Sequence, residues 1–88
     1  MRDFPTYLPR PGQIDQTVRE MLLSMAARLE RVRPDEPIGP AARLAMIQAT
    51  TMDPRVLPTL RAAVPEITGT VIRRDYAERL VAAAGGAR

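Results

Sequence analysis

Nucleophilic catalysis needs a nucleophile held beside a base. This chain offers one serine, Ser24, and a scatter of threonines, with no His, Cys or Lys to activate any of them. Ser24 falls inside a stretch with helical periodicity, where its hydroxyl can bond the backbone carbonyl one turn earlier. Paired carboxylates are the remaining route to general acid–base work. Two pairs stand out, Asp35 with Glu36 and Asp75 with Glu78. The first lies between Pro34 and Pro37, where adjacent side chains on extended backbone diverge. The second shares a helix face but is flanked by Arg74 and Arg79, which predicts surface ion pairing rather than a carboxyl with a raised pKa. The spacing predicts Arg74–Glu78 and Asp75–Arg79 pairs at four-residue separation.

Without His or Cys a zinc site would have to be built from carboxylates alone. The five glycines are scattered and none opens a phosphate-binding loop. The expectation is a protein that is not an enzyme, with no catalytic residue, no cofactor and no metal.

Binding chemistry is the alternative. All thirteen basic residues are Arg, whose planar fork suits phosphate and carboxylate, although an Ala-, Arg- and Pro-rich composition also fits a GC-rich bacterial genome. Ten acids reduce the formal charge to +3, and a nonspecific nucleic-acid binder shows a denser basic stripe. Residues 41–64 read as helix, short break and helix, the length of a helix-turn-helix. Leu44, Ala45, Ala49 and Val56 would serve as its core, and Arg55 and Arg61 would face the nucleic acid. Against that reading, Pro58 sits in the second helix, the turn has no glycine, and the chain has no Asn. DNA binding as a small regulator or antitoxin is therefore the second reading.

The first reading is a noncatalytic protein–protein interaction module, an accessory or structural subunit of a larger assembly, with a protein partner or a second copy of itself. It rests on the N-terminus. Residues 1–13, MRDFPTYLPRPGQ, contain Pro5, Pro9, Pro11 and Gly12, which exclude a helix and favour an extended arm. The arm holds Phe4 and Tyr7, two of the three aromatic residues, with Leu8 beside them. A purely disordered tail tends to lack such residues, so Phe4, Tyr7 and Leu8 are the candidate partner-binding residues.

The elements that must position these groups follow from apolar spacing. Val18, Leu22, Met25, Leu29 and Val32 line one face of a helix over 15–32, with Asp15 or Thr17 as its cap. Residues 33–39 are a linker. Pro40 suits the first turn of a helix over 40–50, with Leu44 and Ile47 as its apolar face and Ala41 and Met46 nearby. From Asp53 to Val64 two arrangements are open: one bent helix from Pro54, or a short turn at 54–57 followed by a helix from Pro58. Val56, Leu57, Leu60 and Val64 are its buried candidates. Residues 65–70 read as a turn. Residues 67–72 have strand-like composition but no visible pairing partner, so no strand is expected. The last helix, 70–84, would be capped by Thr70 and would present Ile72, Tyr76, Leu80 and Ala83 or Ala84, with Gly85-Gly86 as its stop.

The fold class expected is all-α, a small three- to four-helix array carrying an extended proline-rich arm, with residues 14–88 as one helical domain. At 88 residues such a domain buries a thin core. No apolar run reaches the ~20 residues that span a bilayer and no signal-peptide core is visible, so the expected location is the cytoplasm, with no membrane partner.

Overall fold

A computed structural model describes the backbone of residues 11–85 and the side chains of residues 15–85. It contains helices α1 (Pro11–Arg31), α2 (Pro40–Thr50), α3 (Leu57–Ala63) and α4 (Arg73–Ala83), and two short strands, β1 (Pro37–Ile38) and β2 (Val71–Ile72). The architecture is mostly α, as the periodicity predicts. The expected partner-binding residues Phe4, Tyr7 and Leu8 lie outside the described residues.

Helix α1 begins at Pro11, ahead of the expected start at residue 15. A proline is tolerated in the first turn, where its missing N–H would have no helical acceptor. Asp15 and Thr17 consequently stand inside the helix and do not cap it. Its stripe Val18, Leu22, Met25 and Leu29 is buried, joined by Ala26. Val32 is 39% exposed because the helix has already ended at Arg31. Arg33 then takes a left-handed backbone conformation (φ 52°), and Pro34 prevents any return to helix.

The strand excluded by the sequence reading is present. Ile38 pairs with Val71 and Pro37 with Ile72 in an antiparallel two-stranded bridge. The partner had been hidden in the proline-rich linker, whose prolines hold the chain extended. This bridge also replaces the expected Thr70 cap. Helix α4 starts at Arg73 with no side-chain cap. Its first N–H groups instead go to linker carbonyls, Arg73 N to Glu36 O at 2.9 Å and Arg74 N to Pro34 O at 3.0 Å.

Between α2 and α3 the structure selects the second of the two sequence alternatives. The Asp53 carbonyl accepts from Val56 and Leu57, closing a turn, and Pro58 falls in the first turn of α3, where it costs no hydrogen bond. Val56, Leu60 and Val64 are buried as expected, while Leu57 is half-buried.

Helices α1 and α4 pack along each other, with α3 against α1. Tyr76, Ala77, Leu80 and Ala84 join the α1 stripe in the buried core, which Ile38, Ile47 and Ile67 complete. Ile72 is only half-buried, and Ala83 is exposed. Gly85, at φ 102°, ends α4 in the left-handed conformation that glycine adopts without steric cost. Helix α2 contributes a single buried residue, Ile47. Leu44 is 41% exposed, which corrects the expectation that it shares the inner apolar face with Ile47, and Ala41 nearby is exposed too.

Candidate functional site

Three of the arginines, Arg19, Arg43 and Arg73, are internal fittings. Each sends a guanidinium to carbonyls at the C-terminal end of another helix, where the acceptors have no helical donor. Arg19 of α1 donates Nε to Ala84 O, at the end of α4, at 3.0 Å. Arg73 of α4 donates Nε to Val32 O, just past the end of α1, at 2.9 Å. Arg43 of α2 does most. Its Nε reaches Pro65 O at 3.0 Å, and its Nη2 reaches Arg61 O at 3.0 Å and Val64 O at 2.9 Å. A cation at a helix C-terminus also meets the negative end of the helix dipole.

Tyr76 extends this clamp. Its hydroxyl donates to the same Pro65 carbonyl. Burial pushes its phenol above the ordinary value, an effect opposed by the nearby Arg43 guanidinium. The Arg43–Tyr76 arrangement resembles a reactive pair in residue type, but its donors are directed at backbone carbonyls. No local sequence signal marks Arg43 for this task, since its acceptors lie about twenty residues downstream.

The candidate catalytic carboxylates do not converge. Asp35 pairs with Arg74 and Glu36 approaches Arg33 at 3.9 Å, all on exposed side chains. The two carboxyls thus diverge as expected. Neither the expected Arg74–Glu78 nor the expected Asp75–Arg79 pair reaches ion-pair distance. Such exposed pairs contribute little in any case. Ser24 is exposed on α1. Among the described residues no group of three or more His, Cys, Asp or Glu side chains could hold a metal.

The two arginines singled out for nucleic acid sit in different local surroundings. Arg55 lies in the turn before α3 and folds back on Asp53, with Nε to Oδ1 at 3.1 Å and Nη2 to Oδ2 at 3.0 Å. The hydrogen bonds from Arg55 hold the Asp53 carboxyl below the usual carboxylate range. Arg61 is exposed on α3, a helix of only 7 residues. Of the four expected core positions, Val56 is buried, whereas Leu44, Ala45 and Ala49 are exposed.

The feature the sequence reading missed lies on the other side of α2. An open groove of about 380 Å³ runs between α1 and α2. Met25 and Leu29 line it from α1, and Ala42, Ala45, Met46 and Ala49 line it from α2. Arg28, Thr50 and Arg73 complete the lining. Thr50 turns its hydroxyl back to Met46 O at 2.7 Å. The charged groups offered to an occupant are therefore two guanidinium groups, and no carboxylate lines the groove. The cue was available in principle: positions 42, 45, 46 and 49 recur at helical spacing. Small alanines there do not announce a face as Leu or Ile would. Beyond α2, Met52 is 90% exposed. No helix among the described residues is long and apolar enough to cross a membrane. Comparisons with protein-family models, with curated proteins and with solved structures find no match for this chain.

Proposed function

We propose that this protein is a noncatalytic interaction module, an accessory or structural subunit of a larger cytoplasmic assembly, joined to a protein partner or to a second copy of itself. The observation that carries this reading is the open groove between α1 and α2, apolar on both walls. Scattered apolar residues on a surface need no explanation. A concave apolar surface framed by cations is what an interface core with a polar rim requires. The aromatic arm residues Phe4 and Tyr7, with Leu8, are a second candidate contact, since an extended segment that lies along a partner loses little conformational entropy on docking.

The test is a pull-down of the tagged full-length chain from its native host, with and without nuclease, read by mass spectrometry. The expected result is a stoichiometric protein partner, or a second copy of the chain, that survives nuclease. Recovery that collapses with nuclease would replace this reading with nucleic-acid binding, and Arg55→Ala with Arg61→Ala would then be the decisive variant. A truncation removing residues 1–10 leaves α1 intact and tests the arm: unchanged partner retention and oligomeric state would remove Phe4, Tyr7 and Leu8 from the interface.

A further inference from the structure

Resting on the interaction reading above, we infer that the α1/α2 groove receives an acidic amphipathic segment of a partner protein. Its apolar side chains would lie along Ala45, Met46 and Ala49 of α2, above the buried Met25 and Leu29 that floor the groove, with its Asp or Glu side chains meeting Arg28 and Arg73.

The argument is charge complementarity at an apolar surface. Arg28 is exposed and has no carboxylate partner among the described residues. Arg73 uses Nε on Val32 O, which anchors the side chain and leaves its two terminal amino groups outside that bond. The linker acids Asp35 and Glu36 are already engaged, with Arg74 and Arg33 respectively, and Asp75, the acid nearest Arg73 in sequence, does not line the groove. A guanidinium held in place loses less freedom when a carboxylate arrives. Two cations and no anion at the edge of an apolar groove attract an anionic segment and repel a basic one.

The chain's own arm fits this groove poorly in charge: residues 1–10 carry Arg2 and Arg10 against one acid, Asp3.

The experiment places a photo-crosslinking benzoylphenylalanine in the full-length chain at Ala45 in the groove, and in a second sample at Ala82, exposed on α4. Both are irradiated in host extract, and the crosslinked peptides are sequenced. The expected result is one partner crosslinked from position 45 and not from 82, through a segment in which Asp and Glu outnumber Lys and Arg. The partner so identified is then titrated against Arg28→Glu, which should weaken binding about tenfold or more by reversing one rim charge. Circular dichroism of each variant confirms the helical fold. A crosslink to residues 1–10 of another copy, to nucleic acid or to a basic segment overturns the inference. So does unaltered binding of Arg28→Glu. If a stoichiometric partner is retained while position 45 stays bare, the groove assignment fails and the interaction reading stands. If no partner is retained at all, both fail.

Discussion

Helices α2 and α4 are each 11 residues long, and their treatment is opposite to their composition. Helix α4, RRDYAERLVAA, carries five charged residues and buries Tyr76, Ala77 and Leu80. Helix α2, PAARLAMIQAT, carries one charged residue and buries Ile47 alone. The charged residues of α4 occupy its outer face, so its inner face is free to pack along α1. The apolar residues of α2 surround the helix and cannot all point inward. The packing of α2 leaves a groove beside α1, and Arg43 tethers it to the end of α3. Its surplus of apolar surface stays outside the core, and it is the surface that the proposed interaction would use.

One substitution made in both helices tests this contrast most sharply. Ala77 is fully buried, and Ala77→Glu would place a carboxylate in a core with no polar partner. The expected loss is about 3–5 kcal/mol, a large share of the stability of a domain this size. Urea unfolding at neutral pH, or outright loss of the cooperative transition, reads the effect. A loss below about 1 kcal/mol would show that the α1–α4 packing is not the stabilising unit.

Arg43→Ala comes next. It removes donors to three carbonyls, those of Arg61, Val64 and Pro65. Unfolding should show a loss of about 1–3 kcal/mol. Arg61→Ala, whose side chain is exposed, should stay within about 0.5 kcal/mol. Equal effects from the two variants would mean that the clamp contributes nothing beyond generic charge.

How much of this was legible beforehand depends on whether the signal is local. The α1 stripe Val18, Leu22, Met25 and Leu29 repeats within two turns, so periodicity alone identifies both the helix and its buried face. Pro58 and Gly85 act on their own backbone, and their effects were readable in the same way, although the sequence left two arrangements open around Pro58. Pairing of Ile38 with Val71 joins segments more than thirty residues apart, and a two-residue strand carries too little pattern to announce itself. The tasks of Arg19 and Arg73 are longer-range still, and that of Arg43 also joins separate elements. Nothing in the type or spacing of an arginine says whether its fork will meet a phosphate, a carboxylate or the end of another helix. The groove escaped because alanines form its α2 wall, and Leu44, the strongest apolar signal on that helix, points away from the core.

Tyr76 offers a smaller effect with a pH signature. Tyr76→Phe keeps the buried ring and removes the hydrogen bond to Pro65 O, an expected loss of about 0.5–1.5 kcal/mol at neutral pH. The sign of the alkaline limb follows from linkage. The folded phenol titrates above its unfolded value of 10.0. Below that pH both states hold the proton and the full contribution is present. Above it the unfolded chain releases its proton first, so stability falls as pH rises toward the folded pKa. The chain has no Lys, Cys or His, and Tyr7 is the other phenol, which leaves this window unusually clear. Urea midpoints measured from pH 9 upward, on the order of one unit past the phenol's ordinary value, should decline more steeply in the parent chain than in Tyr76→Phe. Parallel slopes would assign the decline to another group.

The smallest expected effect on stability completes the comparison. Ala45→Glu makes in α2 the same chemical change as Ala77→Glu makes in α4. Ala45 is exposed on the groove wall, Glu is a good helix former, and Arg28 lines the same groove. Unfolding should therefore move by no more than about 0.5 kcal/mol in either direction. Binding should not be spared, because the new carboxylate occupies apolar space and repels the acidic segment assigned to it. A partner identified at position 45 should lose affinity for Ala45→Glu while the fold stays intact. If instead Ala45→Glu unfolds the protein as Ala77→Glu does, then α2 is as much a part of the core as α4, and the apolar surplus on which the interaction reading rests does not exist.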